Sequence, residues 1–290
     1  MIYVVIPVYN RKQYTRKCLS CLSAQTERAH TVIVVDDGST DGTAEMIHAE
    51  FPEVIVCTGT GSLWWAGGTN LGIQYALKNL PITENDFLLT LNDDTEVGPD
   101  YLTNLLKAFN TNRPCLIGSI SIDSQDPNRL LYAGTELDMA FAKIRDVAQS
   151  RFHQQYATLA KGPLYLPTDC LPGRGLLIPK IVFTKIGLFD ETHFRHHMAD
   201  LDFSIRARKA GFPLVIATDC VVFEHADATG LIYNKTTSLR QFWEALFTIR
   251  SPLNLNTRYH FARIHAPIMP LYFSFDLARI FGGYILRKMR

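Results

Sequence analysis

Residues 2–43 read IYVVIPVYNRKQYTRKCLSCLSAQTERAHTVIVVDDGSTDGT, and this stretch decides the fold. Ile2 to Ile6 is a β-branched run that ends at Pro7 and reads as a buried strand. Lys12 to Ala24 has helical spacing, with Tyr14, Cys18, Cys21 and Leu22 on one side. Thr31 to Val35 is a second buried strand, closed by Asp36 and Asp37. Outward from there, Thr43 to Phe51 reads as helix, Val54 to Cys57 as strand, Thr69 to Lys78 as helix and Phe87 to Leu91 as strand. Strands that alternate with helices imply an α/β fold with a mostly parallel sheet covered on both faces.

Ligands of such sheets sit at the carboxyl ends of the strands. Tyr9 and Asn10 follow the first strand, Asp36 and Asp37 the second, and Asn92, Asp93 and Asp94 the fourth. Three distant segments therefore converge on one edge. Residues 123–172 are less regular, with a hairpin or extended ribbon expected from Leu130 to Arg145. Leu176 to Pro179 resumes a strand, and Asp200 to Ala210 is a helix stopped by Gly211. Leu214 to Ala217 and Cys220 to Phe223 look like closing strands. After His225 the pattern turns helical and rich in aromatics.

The chain has 290 residues and a net charge of +1, a balance unlike that of a dedicated nucleic-acid binder. The charge is uneven. From Arg250 onward, Arg250, Arg258, Arg263, Arg279, Arg287, Lys288 and Arg290 face Asp276 alone. Aromatic and basic residues interleaved on helices suit an anionic membrane surface, or contact with another subunit or the rest of the chain. The six cysteines show no metal-site or disulfide spacing, so reduced thiols in a cytoplasmic protein are expected. The opening MIYVVIPVYNRK lacks the basic region and cleavage site of a signal peptide. No apolar run reaches the ~20 residues of a spanning helix.

Several groups could carry chemistry. Adjacent Asp93 and Asp94 at a strand end offer hard oxygen ligands for Mg²⁺ or Mn²⁺, although a turn or helix cap would use the same residues. Asp36 or Asp37 could accept from a base N–H or a ribose hydroxyl. Asp41 or Ser39 could simply cap the next helix. The run GTGSLWWAGGTN, residues 59–70, lets backbone N–H groups approach an anion, and Trp64 and Trp65 suit either a core or a sugar-stacking surface. Asp200 and Asp202 begin a helix, where acids are electrostatically favoured, and either could serve as a general base. His225 is a lone histidine after a strand.

As an ordered set, these segments resemble the family 2 glycosyltransferases, which have the GT-A fold. The matches are IPVYNR at 6–11, DDGSTDGT at 36–43, GGTNLG at 67–72, LNDDT at 91–95, GLFDE at 187–191, DLDFSIRARKAGF at 200–212 and FEHADATG at 223–230. The resemblance implies a catalytic domain over 1–230 and a helical, basic-aromatic extension over 231–290. It implies a nucleotide-sugar pocket lined by Pro7, Tyr9, Asn10, Asp36, Asp37, Gly67, Asn70 and Asp93. A divalent metal, Mn²⁺ or Mg²⁺, is expected at Asp94 and His225, with Asp200 as the base. Trp64, Trp65, Gly173, Arg174 and Asp202 are candidates for the sugar or acceptor. Two departures stand out: Asn92 replaces the first acid of the usual triplet, and Ala199 replaces the glutamate that often precedes the base.

The implied reaction is inverting transfer from a UDP- or dTDP-sugar to a hydroxyl of a glycan, lipid-linked, in bacterial O-antigen or capsule assembly. Such an enzyme is expected in the cytoplasm or peripherally on the inner membrane. A nucleotidyltransferase is the first competitor, but it would carry a glycine-rich basic loop where this chain has PVYNRKQY. A catalytically degenerate carbohydrate-binding or interaction protein is the second.

Overall fold

The computed structural model describes residues 1–225 and 238–289. The first half runs β1 (Ile2–Val8), α1 (Lys12–Ser23), β2 (His30–Asp36), α2 (Thr43–Glu50), β3 (Ile55–Thr58), α3 (Trp64–Asn79), β4 (Phe87–Thr90), β5 (Thr95–Val97) and α4 (Tyr101–Asn112). The middle continues with β6 (Leu116–Asp123), β7 (Leu130–Tyr132), β8 (Thr135–Asp138), β9 (Lys143–Asp146), α5 (Val147–Phe152), α6 (Tyr156–Leu159) and β10 (Tyr165–Pro167). The chain closes with β11 (Leu176–Pro179), α7 (Lys180–Ile186), α8 (Ala199–Lys209), β12 (Leu214–Glu224), α9 (Leu239–Ala245), α10 (Leu255–His265) and α11 (Met269–Met289).

The main sheet has the order β10-β12-β6-β11-β4-β1-β2-β3, with β5 on β12 and β7 on β6. β1 pairs in parallel with β2 and β4, β2 with β3, and β6 with β12. β11 runs antiparallel between β4 and β6, with Leu176 opposite both Thr90 and Gly118. The parallel strands thus all end at one edge. The unbroken apolar run of β1 has a simple cause. Tyr3 and Val5 enter the core on one side of the sheet, while Ile2, Val4 and Ile6 enter the core on the other. A period of two with helices on both faces leaves no side for water.

Three boundaries differ from the sequence expectation. α3 begins at Trp64, so the paired tryptophans open the helix instead of preceding it. The two closing strands are one strand, β12, with an irregularity between Ala217 and Val221. The expected ribbon near Leu130 resolves into β7 on the main sheet and a separate β8–β9 hairpin pairing Thr135 with Asp146.

The C-terminal helices pack against the sheet domain and each other. Phe261, Ala262 and Tyr272 join the main core. α9 lies on α11 through Phe242, stacked 4.2 Å from Tyr284. Arg258 Nη1 bonds both carboxylate oxygens of Asp276 at 2.8 Å, tying α10 to α11. The expected domain boundary at 230/231 and the end of the 223–230 motif lie outside the described residues. No helix among the described residues is long and apolar enough to cross a membrane.

Candidate active site

A cavity of about 560 Å³ opens at the carboxyl edge of the sheet. Pro7, Tyr9 and Arg11 reach it from the end of β1, Asp37 from β2, Trp64 and Trp65 from the start of α3, and Asn92, Asp93 and Asp94 from β4. Gly173 and Arg174 come from the turn before β11, His196, His197 and Asp200 from the start of α8, and Arg250 from the link between α9 and α10. Asp37 forms the floor beneath the tryptophans. Its Oδ1 accepts from Gly61 N at 2.7 Å, and its Oδ2 accepts from Leu63 N at 2.8 Å and Trp64 N at 3.3 Å. Asn92 has a task that requires no charge: its Oδ1 accepts the indole N–H of Trp65 at 3.0 Å.

The two acids after β4 are buried side by side. The Arg11 guanidinium donates to Asp94 Oδ2 at 2.6 Å and lies 3.5 Å from Asp93 Oδ1. Asp93 Oδ2 and Asp94 Oδ1 are buried and accept no hydrogen bond among the described residues. Burial pushes the Asp93 carboxyl up to about 7, with Arg11 pulling it down and the charge of Asp94 raising it further. Orphaned buried carboxylate oxygens are costly unless a cation meets them. Hard oxygens on adjacent residues, one monodentate position each, fit Mn²⁺ or Mg²⁺ completed by diphosphate oxygens. Among the described residues there is no cluster of three or more His, Cys, Asp or Glu side chains able to hold a metal alone. The donor set therefore fits an ion that arrives with its nucleotide.

Across the cavity, Met198 adopts a left-handed φ of 68° and turns the chain into α8, which puts Asp200 in the first helical turn. Asp200 Oδ1 accepts from Leu201 N at 2.9 Å. Burial raises the Asp200 carboxyl above its ordinary range, opposed by the N–H of Leu201, the charge of Arg174 and the N–H of Gly173. Arg174 is committed to Glu224 and Ser121, so Asp200 has no ion-pair partner among the described residues. Gly173 is required for packing, because a Cβ there would lie 1.9 Å from the Trp65 ring. Gly175 has φ +76°, and a Cβ would meet the Tyr101 hydroxyl at 2.6 Å. These glycines let the turn before β11 press against the cavity wall.

The model of Glycosyl transferase family 2 matches residues 3–162. The chain belongs to this family. An N-acetylglucosaminyl-diphospho-decaprenol L-rhamnosyltransferase of Mycobacterium tuberculosis is 27% identical over 240 residues, covering 78% of this chain and 77% of that protein. An uncharacterised glycosyltransferase of Rickettsia typhi is 28% identical over 209 residues; the match spans 70% of this chain and 58% of that relative's length. Among solved structures, a mannosyltransferase of Pyrobaculum calidifontis in complex with GDP-Man and Mn²⁺ superposes with TM-score 0.57 at 16% identity, over 97% of this chain and 69% of that one. The fold is the GT-A glycosyltransferase fold, as the sequence resemblance implied.

Not every expected residue of this family 2 glycosyltransferase reaches the cavity. Asn10 instead braces the loop after β2: its Oδ1 accepts from Thr40 N at 2.7 Å and its N–H donates to Ser39 Oγ at 2.9 Å. Asp36 accepts from Ser39 N at 2.8 Å and stays buried, while Asp41 accepts from Thr43 N at the start of α2. Gly67 lies buried within α3 against Leu63. Asn70 holds the loop after α7, accepting from Phe189 N and donating to Phe189 O and Glu191. His225 has both ring nitrogens engaged, one 2.8 Å from Glu96 Oε1 and the other 3.1 Å from Ser124 Oγ, and its ring packs on Tyr14. It is not among the residues that line the cavity, although its partner Glu96 stands two residues after Asp94, the expected co-ligand.

Asp202 points away from the site. It bonds His265 Nε2 of α10 at 2.8 Å and Arg206 Nε at 2.8 Å and is 1% exposed. About half a helical turn separates the two acids, since residues two apart on a helix face different ways. Removing Asp202 strands His265 and Arg206, so Asp202→Ala should lower unfolding free energy by about 3 kcal/mol in urea denaturation. A loss under about 1 kcal/mol would mean that α10 is not fastened through this pair.

Arg11, His196, His197 and Arg250 line the cavity without having been singled out from the sequence. The first sits directly after the Tyr9-Asn10 pair, and the histidines stand just before Asp200 in the run HFRHHMAD. Arg250 carried no local signal beyond being the first of the C-terminal basic residues.

Proposed function

We propose that this protein is an inverting, metal-dependent glycosyltransferase that moves a hexosyl or rhamnosyl group from a UDP- or dTDP-sugar to a hydroxyl of a lipid-linked glycan in bacterial cell-surface polysaccharide assembly. One observation carries the reading. Two buried carboxylates with unpartnered oxygens share a single cavity with a third carboxylate, Asp200, that has no ion-pair partner among the described residues. The first pair suits a cation and the diphosphate, and the third suits proton abstraction.

Each residue has a task. Asp37 and the wall formed by Pro7 and Tyr9 hold the nucleoside. Asp93 faces the ribose and Asp94 takes the metal, which when bound neutralises charge developing on the leaving diphosphate. Trp65, fixed by Asn92, presents a flat face to a sugar ring. Asp200 accepts the proton of the attacking acceptor hydroxyl, whose oxygen bonds the anomeric carbon as the diphosphate departs from the opposite face. One carboxylate suffices because the diphosphate leaves as an anion, whereas a glycosidase needs two. The rhamnosyl option and the lipid-linked acceptor follow the mycobacterial relative, and the place of action follows from them: the cytoplasmic membrane surface, with Leu271, Ile285, Arg279 and Lys288 exposed on α11.

A thermal-shift series with UDP-, dTDP- and GDP-sugars, with and without Mn²⁺, tests the reading. A rise with one nucleotide class that requires Mn²⁺ is the expected result. Its pH dependence has a definite sign. Asp93 must lose its proton to accept from the ribose, and it holds that proton below pH 7, so affinity climbs toward neutrality, by up to about tenfold per pH unit, and levels above it. A folded protein whose melting no nucleotide-sugar moves, with or without Mn²⁺, would defeat the proposal.

A further inference from the structure

Arg250 enters the cavity wall with its guanidinium 5.9 Å above the Trp64 ring, and no carboxylate pairs with it among the described residues. Its carbonyl is 3.1 Å from His197 Nε2, which anchors the backbone and leaves the charged head directed at the cavity. His196 packs against both Trp64, at 5.7 Å, and His197, at 4.5 Å. Burial, with the charges of His197, Arg11 and Arg250 beside it, pushes the His196 imidazole down to about 4, so the ring is neutral near pH 7. A planar guanidinium over an indole, with neutral imidazole donors alongside, matches an anion with several oxygens, above all a phosphate. Trp64 itself is held at φ +59°, a conformation that an aromatic residue seldom adopts outside a constrained site.

Position says whose phosphate it is. The acids on the β4 side already have Arg11. The Arg250 cluster stands between Arg11, whose charge acts on His196, and the start of α8: His197 is three residues before Asp200, and the Asp200 charge acts on its ring. A molecule that offers its hydroxyl to Asp200 would place its own anionic group here. The chain leading to Arg250 adds a second observation. Phe242 and Leu246 of the α9 segment are buried against Ile280, whereas Leu239, Trp243 and Phe247, at four-residue spacing, are 68%, 57% and 61% exposed. Trp243 and Phe247 touch, with ring centroids 5.7 Å apart. Phe247 precedes Arg250 by three residues, which limits the gap between their α-carbons to about 11 Å. An apolar ridge thus runs up to a cation in the cavity wall. Its continuity with that charged wall selects an amphiphile over a second protein surface.

We propose that Arg250, His196 and Trp64 form a phosphate subsite for the acceptor, continuous with the Leu239–Trp243–Phe247 ridge, which takes the acceptor's lipid chain. The site thereby selects a glycan joined to its lipid through phosphate over a free saccharide. The identity of the bound molecule as acceptor rests on the transferase reading above; the subsite itself does not.

Binding of three probes to the purified full chain tests this: geranyl diphosphate and inorganic pyrophosphate without metal, and UDP with Mn²⁺. Arg250→Ala should weaken geranyl diphosphate and pyrophosphate by about tenfold or more, as expected for one charge-assisted contact, and leave UDP affinity unchanged. The double variant Trp243→Ser/Phe247→Ser should weaken geranyl diphosphate alone. Arg250→Lys, which keeps the charge, should restore part of the loss and guards against misfolding of the alanine variant. If Arg250→Ala weakens UDP instead, the cation serves the donor and the proposal falls. It falls also if wild-type protein binds UDP with Mn²⁺ but neither diphosphate probe, an outcome that leaves the transferase reading intact. Failure to bind UDP, with Arg250-dependent binding of geranyl diphosphate, would do the reverse. Dissociation of a dimer by the ridge double variant, with geranyl diphosphate affinity intact, would give the ridge to a second copy and overturn the lipid assignment.

Discussion

Asp200→Asn is expected to lower turnover by about 10³-fold while leaving nucleotide-sugar affinity and thermal stability close to those of the unmodified protein. The amide keeps the shape of the carboxylate and its hydrogen bond from Leu201 N, so α8 starts as before. It cannot take a proton. Because burial raises the Asp200 carboxyl and Arg174 is held by Glu224, the charged form is already disfavoured, and the neutral amide relieves rather than adds strain. Steady-state kinetics with a saturating donor would measure the change. The pH profile supplies the sign: activity should rise with pH through a value above that of an ordinary carboxylate, and the asparagine variant should lose that limb. A variant with turnover within tenfold of the original would remove Asp200 from the base role. Asp202→Ala serves as the contrast, because its loss belongs to stability.

Asp94→Ala should abolish the Mn²⁺-dependent part of nucleotide binding without unfolding the protein. Two adjacent carboxylates share a buried site, and the high Asp93 value reflects burial made worse by Asp94. Removing one charge relaxes that repulsion, while Arg11, whose side chain is 35% exposed, keeps Asp93 as a partner. The melting temperature without ligand should therefore stay level or rise. The ligand-induced rise should vanish; a ligand at a hundred times its dissociation constant stabilises a fold by about 2.7 kcal/mol. Calorimetry of UDP binding with and without Mn²⁺ separates the two effects. Undiminished metal-dependent affinity would mean that the ion sits elsewhere.

The sheet edge was legible because it is written locally. A β-branched run followed by polar or acidic residues marks where a buried strand emerges, and it places Tyr9, Asp37, Asp93 and Asp94 at the sheet edge, where all four line the cavity. Roles that depend on packing were less visible. Asp36 and Asp37 look alike in sequence, yet one secures a loop and the other lines the cavity. Asp200 and Asp202 part ways because helical rotation sends the second toward His265, 63 residues on in the chain. The direction of β11 also escaped notice, since an apolar run of four residues does not disclose whether it runs with or against its neighbours. Arg250 was illegible for the same reason as His265: its meaning comes from a tertiary contact with Trp64, not from its neighbours in the chain.

The reversed strand β11 has an evolutionary consequence. Because it enters between β4 and β6 from the site's edge, it forms a seam with a nucleotide-reading portion on one side, built from residues up to Asp94, and a portion carrying Gly173, Arg174 and Asp200 on the other. Side chains from both portions meet across the cavity, along that strand, and at a few further contacts such as Asn70 with Phe189 and Glu191. Lineages can therefore remodel what receives the sugar while inheriting unchanged the machinery that delivers it, a modular division that would let one ancestral scaffold diversify into many linkages.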